Sequence, residues 1–105
     1  MEVVYLLKEV SLNKELLEEI IELCKKHTEI KKVVLFGSRA RRDNLPKSDI
    51  DLAIYADSNF SNFIEDIENN TTTLLEFDFS NMSTVKDELF IEQVKKEGIT
   101  IYEKY

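Results

Sequence analysis

Apolar residues near the start of the chain recur every three to four positions, as they do on one face of an amphipathic helix. They are Leu16, Leu17, Ile20, Ile21, Leu23 and Cys24. Glutamates occupy the other side, and Lys25 and Lys26 come at the end, where the negative pole of the helix dipole favours bases. This pattern predicts a helix over about residues 12–28. Residues 1–10 are apolar and fit a strand or a helix equally well.

Four later segments have the pattern of strands. Residues 33–36 form a short continuous apolar run, which is consistent with a strand buried on both faces. Residues 50–55 are predicted to form a second strand. Residues 74–79 form a third segment, in which two sets of side chains alternate as they do on the two faces of a half-buried strand. One set is Leu75, Phe77 and Phe79, and the other is Leu74, Glu76 and Asp78. Residues 99–102 are predicted to form the last strand.

Two more helices are predicted between these strands. The first has apolar residues at helical spacing, namely Phe60, Phe63, Ile64 and Ile67. Ser58 or Asn59 is the expected cap of this helix. Thr84 and Asp87 resemble a capping box that opens the next helix, and Gly98 fits the position just after its end.

Length and composition narrow the class of protein. The chain has 105 residues, of which 43% are hydrophobic and 33% are charged. A chain of this size forms one domain, so residues 1–105 are predicted to be a single α/β (α+β) domain. Because helices and strands interleave, we expect a mixed sheet of about four strands with helices packed on it. The apolar fraction excludes a disordered tail, and 2 Gly and 1 Pro exclude a low-complexity chain.

Location and redox chemistry also follow from the composition. No apolar run approaches the roughly 18 residues that are needed to cross a bilayer, so no membrane partner is expected. Acidic residues occur within the first ten positions, unlike in a secretory signal, and we predict a cytoplasmic protein. A single cysteine, Cys24, excludes an internal disulfide and a cysteine-rich zinc site.

The charge is unevenly distributed along the chain. The net charge of −7 argues against binding to a nucleic-acid backbone, so no direct nucleic-acid partner is expected. Residues 31–47 nevertheless carry a local charge of +5, and residues 49–92 carry −10. Such a neighbourhood suits a site that holds both anionic phosphates and cationic metals. An unevenly charged, solvated surface is the simpler alternative.

The chemically informative segment lies between the first two strands. Gly37 ends the first strand and is followed by Ser38. Glycine lets the backbone approach a ligand, and a helix that begins after Ser38 would direct N–H groups at an anion. After ten intervening residues come Asp49 and Asp51, which are two positions apart, so on a strand they share one face. Two carboxylates and phosphate oxygens are ligands that suit Mg²⁺.

This Gly-Ser-x10-Asp-x-Asp spacing resembles the nucleotidyltransferases of the DNA polymerase β superfamily. More closely, the chain is similar to the minimal nucleotidyltransferases, the antitoxin half of HEPN–MNT toxin–antitoxin pairs. The resemblance covers residues 12–102 and includes Ser-Asp-Ile-Asp-Leu at 48–52 and Glu-Gly-Ile-Thr-Ile-Tyr at 97–102. It implies the nucleotidyltransferase fold. The family often has glycine where this chain has Arg42.

The resemblance also implies an activity, which is transfer of AMP from ATP, the substrate, to a hydroxyl group with two Mg²⁺ ions. In this mechanism Asp49 and Asp51 are catalytic residues that bridge both ions. Asp78 is the candidate third catalytic carboxylate and metal ligand, and an ordinary exposed strand residue is the alternative for it.

Phosphate contacts are implied by the same resemblance. Gly37 and Ser38 are expected to hold the β and γ phosphates. Arg39, Arg41 and Lys47 are candidates for phosphate or partner contacts, with solvated surface positions as the alternative.

The partner implied by the resemblance is a HEPN-family toxin, an RNase that is silenced when AMP is added to one of its tyrosines. Two other hypotheses stay open at this point. In the first, the chain is an antitoxin that masks its toxin by direct binding, with little or no AMP transfer. In the second, it is a nucleotide-binding regulator of another partner. The oligomeric state, homo-oligomer or hetero-oligomer, stays open as well.

Overall fold

The structure, a computed structural model, describes residues 10–104. Most of the N-terminal segment that fits a strand or a helix equally well, residues 1–9, lies outside the described residues. The elements in chain order are α1 (Lys14–Lys26), β1 (Ile30–Phe36), α2 (Ser38–Arg41), β2 (Ile50–Ala56), α3 (Ser61–Asn70), β3 (Phe77–Asn81), α4 (Glu88–Glu97) and β4 (Ile99–Glu103).

The four described strands form one mixed sheet in the order β3-β2-β1-β4. β1 is antiparallel to both β2 and β4, whereas β2 and β3 are parallel. The predicted mixed sheet of about four strands with interleaved helices is therefore confirmed. The parallel pair requires a crossover, and α3 supplies it.

Helices cover both faces of the sheet. The larger core joins the apolar side of α1, with Ile20 fully buried, to Phe63 of α3 and to Leu35 of β1. A smaller cluster on the other face joins Val34 and Ala53 to Val94 of α4. Because the sheet is buried on two sides, residues 33–36 of β1 form a continuous apolar run, as the sequence indicated.

The start of α4 differs from the prediction. The helix begins at Glu88, and the side chain of Asp87 accepts hydrogen bonds from the N–H groups of Leu89 (3.0 Å) and Phe90 (3.2 Å). The predicted cap at Thr84 is wrong, because the N–H of Thr84 donates to the carbonyl of Asn81 and so belongs to the turn after β3. Asp87 is thus the cap itself rather than the distal partner of a capping box.

Gly98 follows α4 for a different reason from the one expected. Its φ of −72° is open to any residue, so it is not the left-handed C′ glycine of a helix end. A Cβ atom at this position would instead overlap the Val94 carbonyl and a methyl group of Val34. Glycine here lets the end of α4 pack closely against β1.

The described helices are all too short or too polar to cross a bilayer.

Candidate functional site

The turn between β1 and α2 is shaped by Gly37. Its φ of +76° lies in a region that residues with a side chain rarely adopt. A Cβ atom at Gly37 would also overlap the carboxylate oxygen Oδ2 of Asp51. The glycine therefore brings the end of β1 against an acidic side chain of β2.

Two carboxylates lie side by side on neighbouring strands. In the register of the sheet, Asp51 of β2 is opposite Phe36 on one side and opposite Asp78 of β3 on the other. Asp51 is half-buried and Asp78 is exposed. Asp49 is exposed and comes just before β2 begins at Ile50. The tertiary structure thus brings the predicted third carboxylate next to Asp51, whose own carboxylate lies against Gly37.

The electrostatics of this cluster disfavour negative charge on Asp51. Burial raises the pKa of the Asp51 carboxyl, and the nearby charges of Asp78 and Asp49 raise it further. The guanidinium of Arg41 partly opposes this increase. Repulsion among carboxylates that the fold holds together is relieved when a cation binds.

A metal ion fits these residues only if a ligand completes its coordination. Within residues 10–104, no three acidic, histidine or cysteine side chains are close enough to enclose an ion by themselves. Mg²⁺ typically binds one or two protein carboxylates together with substrate phosphates, rather than an all-protein cage. Asp51, with Asp49 and Asp78 near it, therefore fits a Mg²⁺ ion that arrives with a phosphorylated ligand.

Ser38 and Lys47 remain available to a ligand. Ser38 is the first residue of α2 and is half-buried, and its hydroxyl has no hydrogen-bond partner anywhere in the described part of the chain. Lys47 is exposed in the turn that precedes Asp49. Contact of either side chain with phosphate stays a prediction.

Arg39 occupies a different position from the one expected. It is only 6% exposed. Its guanidinium donates to the carbonyl oxygens of Ser11 (2.8 Å), Pro46 (3.1 Å) and Ser48 (3.0 and 3.1 Å). We therefore correct its assignment from a phosphate contact to an anchor for the loop that leads into Asp49. No local sequence signal distinguishes Arg39 from its exposed neighbour Arg41.

Arg41 lies at the surface beside the carboxylates. It forms ion pairs with Asp43 (3.0 Å) and with Glu97 at the end of α4 (2.9 Å). These two acids raise the pKa of the Arg41 guanidinium, with Asp43 the larger cause. Arg41 thus ties α2 to α4 and places positive charge near Asp51.

The family profile described as "Polymerase beta, Nucleotidyltransferase" matches residues 18–105, which is most of the chain. The chain belongs to this nucleotidyltransferase family. The described architecture, a mixed four-stranded sheet with helices on both faces, agrees with the nucleotidyltransferase fold.

Solved structures with the same fold include three toxin–antitoxin complexes. A chain of a toxin–antitoxin with AMP-PNP is 19% identical in sequence to this chain, with a TM-score of 0.69. The match covers 84% of this chain and 73% of the other. The MntA-HepT toxin–antitoxin is 17% identical, with a TM-score of 0.64, over 88% and 74%. A tri-AMPylated Shewanella oneidensis HEPN toxin in complex with MNT antitoxin is 18% identical, with a TM-score of 0.61, over 84% and 70%. At these identities the likeness establishes a shared fold. No curated protein sequence gives a significant match.

The backbone conformation of Arg42 in this nucleotidyltransferase explains why glycine is common at this position in its relatives. Arg42 caps the end of α2 in the left-handed conformation, with φ of 68° and ψ of 29°. Apart from glycine, residues adopt this conformation at a cost of about 1 kcal/mol. Arginine is therefore compatible with the loop, but it strains the backbone.

We expect Arg42→Gly to be more stable than Arg42→Ala by about 1 kcal/mol, because both variants lose the side chain and only glycine removes the strain. For a domain of this size, that difference corresponds to roughly 4–8 °C in melting temperature. Thermal unfolding followed by circular dichroism measures it. Equal melting temperatures for the two variants would show that the left-handed conformation carries no strain.

The anchoring role of Arg39 predicts a loss of stability. We expect Arg39→Met to lower the free energy of unfolding by about 3 kcal/mol, since hydrogen bonds to a charged group contribute about 1.5–3 kcal/mol each. Arg39→Lys should recover less than half, because an ammonium group lacks the planar fork that reaches three carbonyls. Urea unfolding gives both values. A stable Arg39→Met that binds ATP poorly would return Arg39 to the phosphate site.

Proposed function

We propose that this nucleotidyltransferase transfers AMP from ATP to a hydroxyl group of a protein. The observation that carries the proposal is the pair Asp51–Asp78 on adjacent strands, next to the turn at Gly37. One structural neighbour is a toxin–antitoxin with AMP-PNP, which supports an adenine nucleotide as the ligand. The same turn carries the free hydroxyl of Ser38, which is a donor suited to phosphate oxygens.

In the proposed reaction the acceptor oxygen attacks the α-phosphorus of ATP. The bond between that phosphorus and the oxygen of the β-phosphate breaks, and pyrophosphate leaves. Asp78, on the exposed face of β3, takes the proton of the acceptor hydroxyl. Asp49 and Asp51 would hold two Mg²⁺ ions together with the phosphates of the nucleotide. Bound Mg²⁺ would neutralise negative charge on the entering and leaving oxygens.

We further propose that the acceptor is a tyrosine of a cognate HEPN-family toxin, which makes the chain an antitoxin. Three structural neighbours are toxin–antitoxin complexes, and in one of them the HEPN toxin is tri-AMPylated. Because ATP and an RNase toxin meet in the cytoplasm, we place the activity there.

Mass spectrometry of the partner tests this function. The chain is co-expressed with a HEPN-family protein from the adjacent gene, and the partner is analysed for added AMP on tyrosine. We expect modification with the wild type and with Asp57→Asn, and none with Asp78→Asn. Asp57 is the matched control, because it is an exposed aspartate just past the opposite end of β2. Modification at the normal rate by Asp78→Asn would remove Asp78 from the mechanism.

One observation favours a second candidate function. Three structural neighbours are complexes of an antitoxin with its toxin, which suits an antitoxin that masks its toxin by binding alone. If the wild type binds and inhibits the partner without modifying it, masking replaces transfer as the function.

Ser38 gives a separate prediction. We expect Ser38→Ala to lower the transfer rate or the affinity for ATP about tenfold, since one donor to a phosphate is lost. The melting temperature should stay nearly constant, because the hydroxyl makes no hydrogen bond in the described part of the chain. Isothermal titration with an ATP analogue and thermal unfolding separate the two effects. A large drop in stability with normal use of ATP would make Ser38 a structural cap.

A further inference from the structure

β3 forms one edge of the described sheet and leaves backbone groups unpaired. The N–H of Ile50 in β2 donates to the carbonyl of Glu76, 2.9 Å away. Because backbone groups alternate between the two sides of a strand, Phe77 and Phe79 direct their N–H and C=O groups away from β2. Among residues 10–104, no hydrogen bond occupies these groups. Open edges of this kind pair readily with another strand.

Helix α3 runs beside this edge, and two cavities lie between them. One of about 260 Å³ is lined by Phe79 together with Phe60 and Ile64 at the start of α3. The other, of about 220 Å³, is lined by Phe77 together with Glu68 and the loop before β3. We call the free edge of β3, the facing side of α3 and these two cavities the edge groove.

The spacing of the two phenylalanines that line the cavities matches the side-chain interval of an added strand. Phe77 and Phe79 are two positions apart, which is about 7 Å along a strand. Every second side chain of an extended peptide points to the same side, at the same interval. Main-chain hydrogen bonds to an edge, with pockets for alternate side chains, are one of the recurring ways in which proteins bind peptides.

Charge indicates the chemistry of the occupant. Residues 49–85 contain eight acidic residues and no lysine or arginine. Glu68 and Glu76 both line the second cavity. An extended segment that alternates apolar and basic side chains is therefore complementary to the edge groove.

We infer that the edge groove binds an extended, basic segment of a partner protein as a fifth strand of the sheet. The added strand lies beside β3, which carries Asp78. A hydroxyl on that segment is thereby delivered to the carboxylate cluster. This last step rests on the proposed function, whereas the binding itself does not.

The test measures binding without nucleotide. The full chain is titrated with a blocked seven-residue peptide of alternating lysine and valine. We expect amide hydrogen exchange at Phe77 and Phe79 to slow at least tenfold at saturation, because their N–H groups become hydrogen-bonded. A matching peptide of alternating glutamate and valine should bind at least tenfold more weakly. Absence of binding, or protection elsewhere, overturns the inference.

Two N-methylated peptides test for strand addition directly. One peptide is methylated on its odd-numbered amides and the other on its even-numbered amides. In each peptide only the unmethylated amides can donate hydrogen bonds to the edge of β3. We expect one peptide to lose binding at least tenfold and the other to keep it. Equal loss for both peptides, or no loss for either, contradicts pairing along an edge.

Two charge variants distinguish binding in the edge groove from non-specific electrostatic attraction to the protein. Glu68→Lys should weaken binding of the lysine–valine peptide at least tenfold. Glu18→Lys makes the same change at an exposed position of α1 and should leave binding within twofold. Equal weakening by the two variants means that the peptide is held by net charge alone, which overturns the inference.

Two other occupants would replace a partner protein. If deletion of residues 2–9 raises peptide affinity tenfold, the chain's own N-terminal segment occupies the groove. If the free chain is a dimer in which Phe77 and Phe79 are already protected, the occupant is a second copy. Either result overturns the partner assignment. Conversely, peptide binding as expected without AMP transfer to any partner would leave the edge groove standing while the proposed function fails.

Discussion

Asp51→Asn is expected to abolish AMP transfer and, in the same protein, to raise the melting temperature at neutral pH. The rate should fall at least about 10³-fold, because groups that stabilise transition-state charge commonly contribute on that order. Stability should rise because the Asp51 carboxylate is held against Asp78 and Asp49 in a half-buried position. The amide has nearly the same shape and no charge.

The pH dependence of this stabilisation has a definite sign. The folded state raises the pKa of Asp51 above its ordinary value of 3.8. Below pH 3.8 the wild-type carboxyl is protonated in both the folded and unfolded states, so variant and wild type should melt alike. As the pH rises through the raised pKa, the wild type loses stability that Asp51→Asn keeps. At pH values above the raised pKa, the difference in melting temperature between Asp51→Asn and the wild type should stay constant.

Thermal unfolding in a chelator, from about pH 3 to pH 8, measures this difference. Asp57→Asn is the control, because Asp57 is exposed and just past the opposite end of β2. Adding Mg²⁺ with a non-hydrolysable ATP analogue should stabilise the wild type and not Asp51→Asn. A variant that is less stable than the wild type at neutral pH would contradict the repulsion among these carboxylates. Metal-dependent stabilisation of the variant would contradict the metal assignment.

Gly37→Ala is expected to impair both folding and catalysis. Alanine at a φ of +76° strains the backbone by about 1–3 kcal/mol. Its Cβ would also overlap Oδ2 of Asp51 and displace the carboxylate. Because a displacement of about 1 Å costs on the order of 10²-fold in rate, transfer should fall by at least that factor.

Gly98→Ala is the matched control, since it replaces the other glycine of the chain. Its Cβ would overlap Val94 and Val34, so stability should fall as well, but no carboxylate of the cluster moves. Both variants are assayed at a temperature where unfolding curves show them folded. Equal rates for Gly37→Ala and Gly98→Ala would mean that Gly37 supports only the fold.

Much of the fold could be predicted because helices and strands have local periodicities. The apolar residues of α1 recur with the helical period, and the apolar run of residues 33–36 in β1 is typical of a strand buried on both sides. Boundaries were less accurate where capping depends on the neighbouring turn. Thr84 has the character of a cap, but its N–H is already committed to Asn81, and Asp87 caps α4 instead.

The candidate site could be predicted in part for the same local reason. Gly37, Ser38, Asp49 and Asp51 have a spacing that by itself indicates phosphate and metal chemistry. The departure from the family's glycine at Arg42 was visible in the sequence, but the left-handed conformation of that residue is known only from the structure. Arg39 carried no such signal, because its burial depends on carbonyl groups from Ser11, Pro46 and Ser48, which only the folded loop brings together.

Local patterns in the chain were enough to predict the element types and the mixed architecture, and they nominated the residues expected to bear the chemistry. Which of these residues meet depends on the fold: the parallel pairing of β2 with β3 sets Asp78 against Asp51, and the φ of Gly37 lets the end of β1 approach Asp51. The tertiary structure also decided that β3 forms an edge of the described sheet. The physical reason is that periodicity is a property of neighbouring residues, whereas strand order depends on packing free energy summed over segments distant in the chain.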